Sequence, residues 1–185
     1  MQYDRNYRIF ISRNLDYLRY VIHHKWLVFM EACKLGIPWR GILHDLSKFT
    51  PAEWGPRAAA LDKSSASYQD EAGWYQPENV ADALAAGWLH HYHYNRHHWQ
   101  WWVVHLDART VKVLPMTDPY RREMLADWRA VARMPGRQAM LPWYQDNKDK
   151  MLLHPQTRAW LERELGLRAA EPDERNGKDE NSCQV

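Results

Sequence analysis

Residues 15–49 read LDYLRYVIHHKWLVFMEACKLGIPWRGILHDLSKF, and the reading of this stretch decides the fold. Apolar residues recur at spacings of three and four, which predicts a helix from about Leu15 to Leu35. Two stripes run along it. Leu15, Leu18, Ile22, Trp26, Phe29 and Cys33 form the first, and Tyr17, Val21, His24, Val28 and Leu35 form the second. The polar strip between them holds Asp16, Arg19, His23 and Lys34. A helix apolar on most of its sides is expected at the centre of its bundle. Ser12 or Asn14 is placed to cap its start, Gly36 to stop it and Pro38 to open the next helix. That second helix, WRGILHDLSKF, runs to Thr50-Pro51.

Outward from this stretch, residues 1–12 read as an irregular lead-in. The segment 51–76 reads as a surface excursion with a short helix near 52–62. Asn79 is placed to cap a third long helix with Asp82 at its third position, and Ala81, Leu84, Trp88, His91 and Asn95 share one face of it. WQWWVVHL, a turn at DART and VKVL read as a small β-hairpin from about 99 to 114, with a helix continuing through 105 as the alternative. Thr117 or Asp118 caps a further helix that runs to about Met134 before Pro135-Gly136. A last helical region covers about 147–166, broken at His154-Pro155. No strand–helix alternation occurs, so the fold class is all-α, a helical bundle with one small hairpin. Residues 1–167 form a single domain, and 168–185 form an acidic tail with almost nothing to bury, expected to be disordered.

Composition narrows the function classes. The formal charge is only +2, from 25 basic and 23 acidic residues, which argues against nucleic acid as the main partner. Two cysteines, Cys33 and Cys183, are too few for a disulfide framework, so a reducing, cytoplasmic setting is expected. The first ten residues lack the apolar run of a secretory signal, and no run of 18 apolar residues exists, so no membrane association is expected. A homo-oligomer is left open.

The chemistry-bearing residues sit where charge is costly. Asp127 is the middle member of the face Tyr120, Met124, Val131 and Met134. An unpaired carboxylate there would cost several kcal/mol, so it needs a cation, a metal or hydrogen bonds. Arg40 or Arg129 as a core ion-pair partner is the simpler explanation. His24 lies in an apolar stripe, whereas His23 lies on the polar strip. Side chains of His44 and Asp45, adjacent on a helix, diverge by about 100° yet can still reach one ion from two sides. Lys48 follows one turn after His44, where it can neutralise an anionic group.

Residues 90–98, HHYHYNRHH, add His90, His91, His93, His97 and His98. His91 belongs to the packed face of its helix and His98 opens an aromatic segment, so these two are the preferred ligands of a second ion. His90 and His97 are substitutes or outer hydrogen-bond donors. Asp45 would bridge the two ions and serve catalysis with Lys48 and Arg96, while Lys48, Arg96 and Arg40 are the phosphate contacts. Trp88, Tyr94 and Trp99 are available to stack on a base.

The order His24, His44-Asp45, Asp127 resembles the HD-domain metal-dependent phosphohydrolase superfamily, with its H…HD…D pattern on a helical bundle. HDLSK is similar to the HD-[LIV]-G-K opening of the cyclic-dinucleotide phosphodiesterase branch, with Ser47 in place of the glycine. That branch's downstream GYP-type signature is absent, so its substrate is not carried over. The chain from about 15 to 165 also resembles a small bacterial and phage family that brings no activity with it, through HKWLVF, CKLGIPWRGILHDLSKF, HHWQWW and NKDKMLLHP. The superfamily resemblance implies an HD-like domain over 1–167 and one or two divalent ions (Mn, Mg, Co, Ni, Zn or Fe) on His24, His44, Asp45 and Asp127. It implies water as nucleophile and a phosphorylated small molecule, a nucleotide above all, as substrate. Two alternatives are a di-iron oxygenase on the same ligand frame and a non-enzymatic metal-binding or partner-binding protein.

Overall fold

A computed structural model of the chain describes residues 2–61 and 65–167. Among these it is mostly helical, with seven α-helices and one two-stranded antiparallel sheet. The helices are α1 (Gln2–Lys34), α2 (Pro38–Leu43), α3 (Pro51–Ala59), α4 (Asp82–Tyr94), α5 (Asp118–Ala132), α6 (Met140–Asn147) and α7 (Pro155–Glu164). Strands β1 (Val103–His105) and β2 (Val111–Val113) form the expected hairpin, with Val103 opposite Val113 and His105 opposite Val111. A 3₁₀ turn at Trp99–Trp102 leads into it, so the alternative of a helix through 105 does not hold. The acidic tail falls outside the described residues. No described helix is long and apolar enough to cross a membrane.

The second stripe of α1 is the one that is buried. Tyr17 and Val21 pack with Ala58 of α3, while Leu27, Val28 and Ala32 pack with Ala126, Ala130 and Met134 around α5. His24 falls between these two apolar clusters along α1. Alanines on both sides of the α1–α5 contact allow the close approach, and each fully buried Val or Leu contributes about 1.5–3 kcal/mol. A third cluster, around Trp102, Met124, Leu125, Tyr144 and Leu161, fixes the far side of α5 against α6 and α7.

Five sequence expectations are corrected. The helix starts at Gln2, not Leu15, and Asn14 is not a cap: its amide donates to Phe10 O and its Oδ1 accepts from Trp54 Nε1. The first stripe of α1 is not central, since Leu15, Ile22 and Trp26 are exposed. The second helix stops at Leu43, and a 3₁₀ turn, Leu46–Phe49, replaces its last part. Helix α4 begins at Asp82 after an extended Ala81, because Pro77–Asn79 forms its own 3₁₀ turn. Helix α6 lies before the expected last helical region, starting four residues after Gly136.

Two glycines set helix spacing next to the site. A Cβ on Gly41 would stand 2.8 Å from both Phe29 Cα and Ala32 Cβ, so α2 lies directly on α1. A Cβ on Gly87 would stand 3.3 Å from Ala52 O, which marks an equally close α3–α4 approach. Gly41→Ala is expected to cost about 1–3 kcal/mol in thermal or denaturant unfolding, because backbone must move. Gly55→Ala in α3, where a Cβ meets nothing, is expected to be stabilising by about 0.5–1 kcal/mol. Equal effects at the two positions would contradict the packing described.

Candidate metal centre

The backbone at His44-Asp45 explains how adjacent side chains reach one place. Helix α2 ends at Leu43, His44 is extended at φ −51° and ψ 129°, and Asp45 is left-handed at φ 53° and ψ 33°. Asp45 is the one non-glycine residue with positive φ among the described residues. Such a conformation costs roughly 1 kcal/mol or more, least for Asn and Asp. The helical divergence of about 100° is thereby removed. The Lys25 ammonium ties the turn to α1 by donating to the carbonyls of Ile42 and His44.

Seven imidazoles and carboxylates meet around this turn. Asp45 Oδ2 lies 3.2 Å from His44 Nε2 and 3.9 Å from His24 Nε2. Asp127 Oδ1 lies 3.2 Å from His24 Nε2 and 3.7 Å from His44 Nε2. On the other side, Asp45 Oδ1 lies 3.5 Å from both His91 Nε2 and His97 Nε2, and His98 Nε2 stands 2.7 Å from His91 Nε2. Three clusters of donor atoms result among the described residues: His24, His44 and Asp127 in one, Asp45, His91, His97 and His98 in another, and His44, His97 and Glu123 in a third, outer one. Within each, the ligand atoms lie within 4.8 Å of one another. Lys48, buried, holds its Nζ 2.6 Å from Asp45 Oδ2.

An outer layer of carboxylates orients the rings. Glu123 Oε1 accepts from His44 Nδ1 at 3.2 Å and lies 3.3 Å from His97 Nδ1, while its Oε2 accepts from Arg40 at 2.9 Å. Glu53 accepts from His90 Nδ1 and His91 Nδ1, both at 2.8 Å. Burial works to raise both glutamates, but their bonds to these histidines outweigh it and hold each at about 2. They are therefore ionised and accept only, so each Nδ1 carries a proton, and the Nε2 atoms of His44, His91 and His97 are turned toward Asp45. That is the arrangement of a metal-ligating histidine.

The inward atoms then lack partners. Both ring nitrogens of His24, Nε2 of His44 and His97, and Oδ1 of Asp45 are buried without a hydrogen bond of good geometry. A buried polar atom left unsatisfied costs about 1–3 kcal/mol, and here several converge on one space. A bound cation removes those costs together, so the donor set fits a divalent metal. Electrostatics agree. Burial opposes ionisation of Asp45, but His44, Lys48 and His91 pull it well below the usual range, and His24 does the same for Asp127. Burial and Lys48 lower His24, and burial lowers His91 and His98. Burial also opposes a charge on His44, but Asp45, Glu123 and Asp127 raise it to about 9.

Of the sequence-selected residues, His24, His44, Asp45, Lys48, His91, His98 and Asp127 are brought together. His97 joins them rather than replacing His98, and His90 stands outside on Glu53. The ion pair considered for Asp127 does not form: Arg40 pairs with Glu123, and Arg129 donates to Glu164 O. Arg96 is exposed, its guanidinium 4.7 Å from the Trp101 ring centre. Ser47, the departure from HD-[LIV]-G-K, accepts from Asn95 Nδ2 at 2.7 Å. Trp88 packs edge-on against Tyr68 and Tyr75, and Trp99 packs on the main core. Glu53 and Glu123 were missed by the sequence reading. Glu123 lies one turn before Asp127, a spacing that could have raised it.

The chain belongs to the family described as Family of unknown function (DUF5662), which it matches over residues 13–167. No curated protein and no solved structure matches it.

The charge on His44 gives a pH test. At pH 7 the ion-free imidazole is protonated, and a metal needs it neutral, so binding must release a proton. Affinity should rise with pH and level off above about 9. Calorimetric titration with Mn²⁺ or Co²⁺ in buffers of different ionisation enthalpy is expected to show about one proton released from His44 at pH 7. Binding with no proton release and no pH dependence between 6 and 9 would contradict the assignment.

Proposed function

We propose that the chain is a metal-dependent phosphohydrolase of the HD-domain type, acting on a nucleotide or a related phosphoester with water as the nucleophile. The observation that carries this reading is the position of Asp45, one oxygen toward His24 and His44 and the other toward His91 and His97. A single carboxylate facing two donor sets suits a pair of ions.

His24, His44, Asp127 and Asp45 would hold one ion, and Asp45, His91, His97 and His98 the other. This mixture of nitrogen and oxygen suits borderline divalent metals. When bound, such ions supply Lewis acidity, lowering the pKa of water and neutralising charge on phosphoryl oxygens. The chain's own residues do the remaining work. Glu53 and Glu123 fix the rings, so the inward nitrogens do not reorganise during the reaction. Burial opposes a charge on Lys48, but Asp45 outweighs it and raises the Lys48 pKa, so it stays charged beside Asp45. A fixed cation there stabilises charge developing on a leaving oxygen. Arg96 directly precedes His97 and is exposed, its guanidinium lying over the Trp101 ring, and from this edge of the site it would take a substrate phosphate. Arg40 is committed to Glu123.

The test is a screen of phosphorylated nucleotides and general phosphoesters with Mn, Mg, Co, Ni, Zn and Fe, using protein freed of any His-tag. Divalent-dependent phosphate release is expected. Asp45→Asn keeps a residue that tolerates left-handed backbone and is expected to lower turnover at least about 100-fold with an unchanged circular dichroism spectrum. Asp127→Asn is expected to weaken metal binding about 10–100-fold. His23→Gln, on the exposed side of α1, should leave stability within about 0.5 kcal/mol. Bound iron with a mixed-valence signal and no phosphate release would replace this reading by an oxygenase. Protein that binds no metal would end it.

A further inference from the structure

The outer stripe of α1 is apolar, exposed and symmetric in its spacing. Ile11 is 39 % exposed, Leu15 48 %, Ile22 56 % and Trp26 59 %. Leu18 and Phe29 are half-buried between them, and Cys33 is exposed. The steps along this stripe run four, three, four, four, three, four, a sequence that reads the same in both directions about Ile22. Positions 11 and 33, 15 and 29, and 18 and 26 are equidistant from it.

We propose that this face binds a second copy of the chain, the two α1 helices antiparallel about a two-fold axis at Ile22. An isologous contact between antiparallel helices maps each residue onto its mirror position in the partner. An axis at Ile22 lays Ile11 on Cys33, Leu15 on Phe29, Leu18 on Trp26 and Ile22 on itself, so no apolar member of the stripe meets a polar one. The contact runs for about 33 Å at 1.5 Å per residue.

The area fits such a dimer. With Trp39, Ile42 and Leu43 of the adjoining α2, also exposed, the apolar surface comes to roughly 800 Å² from ordinary side-chain sizes. That exceeds the largest patch usual on a monomer, about 300–600 Å², and matches the roughly 800 Å² each partner gives to a stable interface. Other occupants fit less well. The tail, 168–185, has no aromatic residue and Val185 as its one large aliphatic, too little to cover the stripe. Cations flanking it are already paired, Arg19 with Asp16 at 3.1 Å and Lys34 with Glu31 at 2.7 Å, which leaves little to draw anionic lipid. This pairing is independent of the metal chemistry, although it would brace the α1–α2 contact that carries Asp45.

Sedimentation velocity on the full chain is expected to give a dimer at micromolar concentration. Ile22→Glu with Trp26→Glu is expected to give a monomer with an unchanged circular dichroism spectrum. In a Cys33→Ser, Cys183→Ser background, Ile22→Cys is expected to cross-link to itself with a short bismaleimide. Leu15→Cys is not, because the two copies of residue 15 would lie about 21 Å apart along the helices. A mixture of Leu18→Cys and Trp26→Cys chains is expected to cross-link. A monomeric wild-type chain would overturn the proposal, as would a dimer in which Leu15→Cys links to itself or Ile22→Cys does not. So would a monomer that co-sediments with phosphatidylserine vesicles, which would give this face to a membrane.

Discussion

Buried charge organises the interior of this protein. Asp45, Asp127, Glu53 and Glu123 are all buried, and none is neutralised by simple pairing with an arginine alone. Each is instead surrounded by imidazoles, which can carry a proton or a metal. Helices α1, α2, α4 and α5 are brought to one place by these groups. The apolar clusters on either side of His24 hold the frame but stop short of the centre, where no hydrophobic side chain could satisfy the polar atoms.

The layering of the site has a chemical logic. The inner atoms left without hydrogen bonds are the Nε2 nitrogens of His24, His44 and His97 and Oδ1 of Asp45. The outer Nδ1 nitrogens of His44, His91 and His97 face Glu53 and Glu123, which stay ionised. Glu123 contacts one histidine from each ligand set, so it ties the orientation of both sets to a single side chain. Arg40 holds the remaining oxygen of that glutamate, and its guanidinium lies 3.9 Å over the Tyr120 ring centre. The rings are thus held by hydrogen bonds from the chain itself, which is what metal binding with little reorganisation would require.

Much of this was legible in the sequence, for a definite reason. His24 and Asp127 each interrupt an apolar stripe at helical spacing, and a buried polar residue in such a stripe needs a partner. The all-α class and the hairpin followed from periodicity and from the aromatic and β-branched run near 103–113. The left-handed turn at Asp45 was not legible, because no glycine marks it and the residues before and after it favour helix. Glu123 lies beside the stripe of α5 and not within it, so periodicity does not single it out. The two stripes of α1 were correctly separated, but periodicity reports that a face is apolar and not what covers it. Taking both as internal was therefore an error of packing, not of pattern.

The proposed function requires that Asp45 be shared by two ions. Anomalous diffraction at the metal edge, from crystals of the chain loaded with Mn²⁺ or Co²⁺, tests this. Two peaks are expected, one against each oxygen of Asp45 and about 3.5–4 Å apart, with His24, His44 and Asp127 around one and His91, His97 and His98 around the other. Peaks confined to surface histidines such as His93, with none beside Asp45, would contradict it.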